Sequence, residues 1–188
     1  MLLLQNSGCA KEYSYEGGDT TAIITPIIPA KDSIPLLTDT TNDFPLCKMC
    51  DAAAPLTLGT WNFRKGKSYL CGSVSNSGFF SGNTKMNFTF FGPSSCSVDT
   101  GIVMSVFLPV PLDQDRSNIK AMRTAFYFYD NTAPKDIFIT QPEKDFTLML
   151  QSFDLATGIA TGIFSGTVFK ANGDTAFIAA GRYKVLIK

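Results

Sequence analysis

The sequence predicts an all-β fold: a two-layer antiparallel β-sandwich, immunoglobulin-like or jelly-roll-like, with about eight or nine strands and an extended N-terminal tether. Three observations carry this. Short runs with apolar residues at alternate positions recur through residues 47–188, and no stretch of useful length has a helical period. Asn172-Gly173 sits between two long runs of this kind, a strong short-range signal for a hairpin, because both residues tolerate φ > 0. The chain carries 16 phenylalanines, and aromatic residues favour a pleated, half-buried surface.

Each element can be justified in turn. Trp61 and Phe63 flank Asn62 on a first strand, closed by a turn at Arg64-Lys65-Gly66-Lys67. A second strand spans 68–75 and carries Cys71. Ser, Asn and Gly surround Phe79-Phe80, so 75–83 reads as a loop or a short edge strand. Residues 85–91 form a strand with Met86, Phe88 and Phe90 on one face, followed by a turn at Gly92-Pro93-Ser94-Ser95-Cys96. Residues 100–108 are apolar on both faces, as in a central strand. Residues 109–118 read as a polar loop. A strand over 122–129 holds Phe126-Tyr127-Phe128-Tyr129, and 136–140 reads as a short strand. Residues 145–153 form a strand with Phe146, Leu148 and Leu150 facing inward. The C-terminal hairpin runs from 157 to 188; in its last strand Tyr183, Val185 and Ile187 point one way and Arg182, Lys184 and Lys188 the other.

Upstream lie two further segments. Residues 1–9 read as the remnant of a lipoprotein signal. Met1-Leu2-Leu3-Leu4 is too short to span a bilayer, which takes about 20 apolar residues, but small Ser7 and Gly8 stand directly before Cys9, the expected lipidation site. Residues 10–46 form a flexible linker punctuated by Pro26, Pro29, Pro35 and Pro45. The opening Cys9-Ala10-Lys11-Glu12-Tyr13-Ser14-Tyr15-Glu16-Gly17-Gly18 resembles β-sandwich lipoproteins of the Bacteroidota, a group with no established activity. The run Ile159 to Thr167 resembles the last strands of those sandwiches, where Gly162 and Gly166 are expected to leave room around Phe164. The resemblance implies an outer-membrane address, on the periplasmic face or the cell surface. Lys11-Glu12 partly matches a surface-export signal of that group, and Asp19-Thr20-Thr21, Asp32-Ser33-Ile34 and Asp39-Thr40-Thr41 resemble its short O-glycosylation motif.

Four cysteines remain: Cys47, Cys50, Cys71 and Cys96. In an exported chain an even number argues for two disulfides. A four-thiolate zinc site and a redox-active Cys-x-x-Cys are the alternatives. The second pair lacks Cys-x-x-Cys spacing, and no helix follows Cys50 to lower a thiol pKa. Bridges from Cys47 and Cys50 outward to Cys71 and Cys96 are favoured over a local loop; which cysteine meets which stays open.

Composition narrows the function. Lys plus Arg and Asp plus Glu number 16 each, so there is no basic excess to neutralise phosphates, and nucleic acid is not an expected partner. Histidine is absent, which removes Ser-His-Asp and Cys-His catalysis and histidine metal sites. No cofactor is expected. Asp113, Asp115, Glu143 and Asp145 do not form a calcium loop or an identifiable catalytic pair, so no catalytic or metal-binding residue is named. Trp61, Tyr69, Phe79, Phe80, Tyr127 and Tyr129 are candidates for a sugar-stacking surface, set against ordinary core packing. Tyr127 and Tyr129 lead, because they alternate with Phe126 and Phe128 and fall on the wetter face. The expected function is a lipid-anchored, non-catalytic binding or structural module of the bacterial cell envelope, held to the membrane by its N-terminal anchor. Its partner would be a glycan or another envelope protein. The alternatives are a carbohydrate-binding subunit of a glycan-uptake system and a small glycan-active enzyme using two carboxylates.

Overall fold

The computed structural model describes residues 47, 49–50, 55–133 and 137–188. The lipidation site Cys9, the linker and the glycosylation-like motifs lie outside them.

Eleven strands follow one another: β1 (Thr60–Lys65), β2 (Ser68–Ser73), β3 (Phe79–Phe80), β4 (Asn87–Ser94), β5 (Ser97–Phe107), β6 (Arg116–Lys120), β7 (Arg123–Asp130), β8 (Phe138–Ile139), β9 (Phe146–Asp154), β10 (Ile159–Phe169) and β11 (Thr175–Leu186). The described residues contain no helix. All strand pairings are antiparallel, but the expected two-layer sandwich does not form. β1, β2, β4, β5, β7, β8, β10 and β11 pair in that order, and β11 returns to pair with β1. The sheet therefore closes on itself as an eight-stranded up-and-down barrel. The physical reason is that β11 has ladders along both edges, so the last strand of the meander seals the first and leaves neither exposed.

The barrel has unlike ends. Connections β1–β2, β4–β5, β7–β8 and β10–β11 are short and share one end. The three connections at the other end each carry an accessory strand: β3 pairs with β4, β9 with β10, and β6 with β9. Phe80 of β3 meets Phe153 of β9 edge-on, with ring centroids 6.5 Å apart.

Alternation supplies the interior. Trp61, Phe63, Phe88, Phe90, Phe126, Phe128, Phe164 and Tyr183 fill it together with Ile102, Met104, Leu148, Val168 and Ile178. Phe63 meets Phe126 edge-on at 5.7 Å, and Phe90 lies 5.1 Å from Tyr183. Each such side chain contributes about 1.5–3 kcal/mol through burial. Rings of this size fit a narrow barrel because glycines face them. Trp61 pairs directly with Gly72, Phe164 with Gly181 and Tyr183 with Gly162. The room around Phe164 thus comes from Gly181, where the sequence suggested Gly162 and Gly166. Gly162 accommodates Tyr183, and Gly166, at φ 149°, lies against the backbone of Asp145 and Phe146.

Three local expectations are also revised. β4 runs on through Gly92-Pro93-Ser94, so the turn shrinks to Ser95-Cys96. β6 begins within the stretch read as a loop and runs on to Lys120. In the hairpin turn only Gly173 takes positive φ, at 91°. The Gly173 N–H donates to the Lys170 carbonyl at 3.0 Å, and the Lys170 N–H to the Asp174 carbonyl at 2.8 Å. Asn172 acts through its side chain instead, its Oδ1 accepting from the Asp174 N–H at 3.1 Å.

Candidate functional site

The outer face of β4, β5, β7 and β8 carries the tyrosines singled out from the sequence. Phe126 and Phe128 are buried, and Tyr127 and Tyr129 point outward, half-buried. Their rings are near-parallel, with centroids 6.4 Å apart. Register extends this pair into a surface. Phe91, Val103, Tyr127 and Ile139 stand opposite one another on the four successive strands, forming one apolar row. Phe91 and Ile139, at its ends, are each 42% exposed. Three strand spacings make the row roughly 14 Å long.

Neighbouring rows differ in chemistry. On one side Tyr129 lies across Gly101, whose missing side chain gives the ring its seat. On the other, Thr89 and Ser105 hydrogen-bond through their hydroxyls at 2.8 Å, with Phe79 beside Thr89 on β3 and 46% exposed. Beyond them the Arg123 guanidinium stacks 4.3 Å from the Phe107 ring centroid. The face therefore offers exposed ring surface flanked by hydroxyls and a cation. Burial pushes the Tyr129 phenol above its ordinary pKa, so it remains a neutral donor and acceptor at neutral pH. Phe91, Val103 and Ile139 were missed by sequence reasoning. The register that aligns them spans four strands, and only the alternation within each strand was a usable signal.

The other candidate aromatics separate by role. Trp61 is wholly buried, Tyr69 is half-buried on the outer side of β2, and Phe80 belongs to the contact with Phe153.

The cysteines converge. Cys47 stands at disulfide distance from Cys96, and Cys50 from Cys71, with Cα atoms 5.5 Å apart in both pairs. This joins the segment before β1 to the β4–β5 turn and to β2. The Sγ atoms of Cys47, Cys50 and Cys96 lie within 4.8 Å of one another, so the bridges sit side by side.

The carboxylates are dispersed. Asp113 forms an ion pair with Arg116 at 2.9 Å, and Asp115 accepts from the Leu155 N–H at 2.9 Å, so both fasten the connection carrying β6. Glu143 and Asp145 are exposed around the start of β9.

Comparisons with protein-family models, with curated proteins and with solved structures find no match to this chain. Among the described residues no helix is long and apolar enough to cross a membrane.

Proposed function

We propose that this protein is a non-catalytic glycan-binding module of the bacterial cell envelope, attached to the outer membrane by a lipid on Cys9. The observation that carries the binding role is the row Phe91–Val103–Tyr127–Ile139, with Tyr129 alongside. A sugar ring presents an apolar face of C–H groups and a rim of hydroxyls. The row supplies flat aromatic surface for the first, and Thr89, Ser105 and the tyrosine hydroxyls supply partners for the second. A binding component that captures oligosaccharides for uptake fits an open, elongated face of this kind. Support for the address is the sequence Ser7-Gly8-Cys9 and the oxidising compartment that two cysteine bridges require.

The test is a glycan array probed with the 188-residue chain and with Tyr127→Ala and Tyr129→Ala. Retained binding to a restricted set of oligosaccharides, lost in both variants while their thermal unfolding stays cooperative, supports the reading. Binding unchanged by the substitutions, or no binding to any glycan, refutes it. Cys9→Ser, expressed in cells that export the protein, separates the address from the binding role, because it should release the protein from membranes without altering glycan recognition.

A further inference from the structure

The two cysteine bridges do not stand apart; their sulfurs form one cluster. Cys50 Sγ lies 3.0 Å from Cys47 Sγ, which belongs to the neighbouring bridge. The four sulfurs therefore run in contact in the order Cys96, Cys47, Cys50, Cys71. Backbone hydrogen bonds hold the cysteines together in a second way, independent of the bridges. The Cys50 N–H donates to the Cys47 carbonyl at 3.4 Å, the closure of a four-residue turn. In the barrel, the Ser95 N–H donates to the Cys71 carbonyl at 2.9 Å, and the Ser94 hydroxyl donates to the same carbonyl at 3.2 Å. Ser94 Oγ in turn accepts from the Cys96 N–H at 3.2 Å. Cys47 and Cys50 thus neighbour each other as well as their bonded partners, and Cys71 is held against the turn that carries Cys96.

Burial decides where exchange starts. Cys47 is 8% exposed, whereas Cys50 and Cys71 are half-buried. A thiolate from outside reaches the Cys50–Cys71 bridge first, and the buried Cys47 sulfur is open chiefly to its neighbour Cys50. Attack of a thiolate on one sulfur of a disulfide expels the other sulfur as a thiolate. We infer that this cluster is a thiol-catalysed exchange site that unhooks the segment before β1 from the barrel. A small thiol, as its thiolate, bonds to Cys71 Sγ and breaks the Cys50–Cys71 bond, leaving Cys50 as a thiolate. Cys50 Sγ then bonds to Cys47 Sγ, and the Cys47–Cys96 bond breaks to leave Cys96 as a thiolate. Cys96 Sγ finally bonds to Cys71 Sγ and expels the small thiolate unchanged. Two bridges are present before and after, so no oxidant or reductant is consumed.

The two pairings hold the chain differently. With Cys47 on Cys96 and Cys50 on Cys71, both bridges fasten the segment before β1 to the barrel. With Cys47 on Cys50 and Cys71 on Cys96, one bridge closes a loop within that segment, and the other ties β2 to the β4–β5 turn. The barrel keeps an internal cross-link, while the segment before β1 stays joined to it by polypeptide alone. No residue of the aromatic row takes part, so the exchange is independent of glycan binding.

The test uses the full chain with Cys9→Ser, which removes the fifth thiol. A substoichiometric amount of reduced glutathione is added to the folded protein, the reaction is quenched with acid and an alkylating agent, and non-reducing peptide mapping follows. Cys47–Cys50 and Cys71–Cys96 peptides should appear in equal amounts and exceed the glutathione supplied. Their rate of formation should fall about tenfold per pH unit below the thiol pKa, because the thiolate is the attacking species. Adding Cys71→Ser isolates the central step: the one thiol left among Cys47, Cys50 and Cys96 should be found partly at Cys50 and partly at Cys96. The original pairs persisting unchanged under glutathione, or exchanged peptides that never exceed the thiol added, overturn the proposal. So do Cys47–Cys71 and Cys50–Cys96 peptides in comparable amount, the mark of general scrambling, and a thiol confined to Cys50 in the Cys71→Ser variant.

Discussion

Gly162 of β10 stands directly opposite Tyr183 of β11, and a Cβ on Gly162 would collide with the phenol ring and its hydroxyl. The same arrangement recurs at Gly72 with Trp61, Gly101 with Tyr129 and Gly181 with Phe164, each pair directly cross-strand. Glycine in a strand interior weakens the strand locally, and an aromatic ring laid over the bare backbone restores the lost packing. Gly162→Ala should therefore destabilise the protein by roughly 1–3 kcal/mol, the usual range for overpacking, as read from urea unfolding. Tyr183→Phe should be close to neutral or slightly stabilising in the same assay. The Tyr183 hydroxyl is buried with no hydrogen-bond partner among the described residues, and its pKa is pushed up by burial.

Peptide mapping under non-reducing conditions should recover Cys47 joined to Cys96 and Cys50 joined to Cys71, with no free thiol at these four positions. Cys96→Ser combined with Cys47→Ser should lower stability by about 2–4 kcal/mol. A reductant should lower the melting temperature of the parent chain more than that of this variant.

Acid should weaken the fold partly through Asp130. Burial raises its carboxyl pKa, but the Thr132 hydroxyl at 2.7 Å and the N–H groups of Ala133 and Thr132 at 2.9 Å outweigh that and hold it below the ordinary value. The folded-state pKa is thus lower than the unfolded one. Its contribution is present in full above the unfolded value of about 3.9 and is lost as the pH falls through the folded value. Asp154 behaves alike, its carboxylate accepting from the Thr157 N–H at 2.7 Å and from the Thr157 side chain. Asp130→Asn should lower stability in the neutral region, where the ionised carboxylate contributes in full, and change it little in strong acid, so that the acid limb of stability against pH below about 4 flattens.

Ala180→Gly should raise stability by up to about 1 kcal/mol, because glycine adopts the observed φ of 50° without steric strain. Calorimetric melting checks this.

Much of the strand content was legible because alternation is a local property. Phe88 and Phe90, Leu148 and Leu150, and Tyr183, Val185 and Ile187 each announced an inward face, and Tyr127 and Tyr129 an outward one. β6 was missed because Arg116-Ser117-Asn118-Ile119-Lys120 has no apolar alternation; its backbone ladder to β9 holds it in place. Gly92-Pro93 reads as a turn, yet Pro93 stands opposite Gly101 within the β4–β5 ladder. Closure was invisible for a different reason. A strand buried on one face gives the same sequence signal whether that face meets a second sheet or the far wall of a barrel. The pairing that decides, Trp61 with Tyr183, joins residues near opposite ends of the folded region. The aromatic row was hidden likewise, since Phe91, Val103, Tyr127 and Ile139 become neighbours only through three separate registers.

Because β11 seals β1, the ring of strands has no intrinsic beginning. Polypeptide order and spatial order can then be decoupled. A flexible bridge between the existing ends, with a new opening cut at Asn172-Gly173, would produce a circularly permuted chain that retains every ladder. Its β10 and β11 would become the terminal strands, and the tyrosine face on β4, β5, β7 and β8 would be inherited intact.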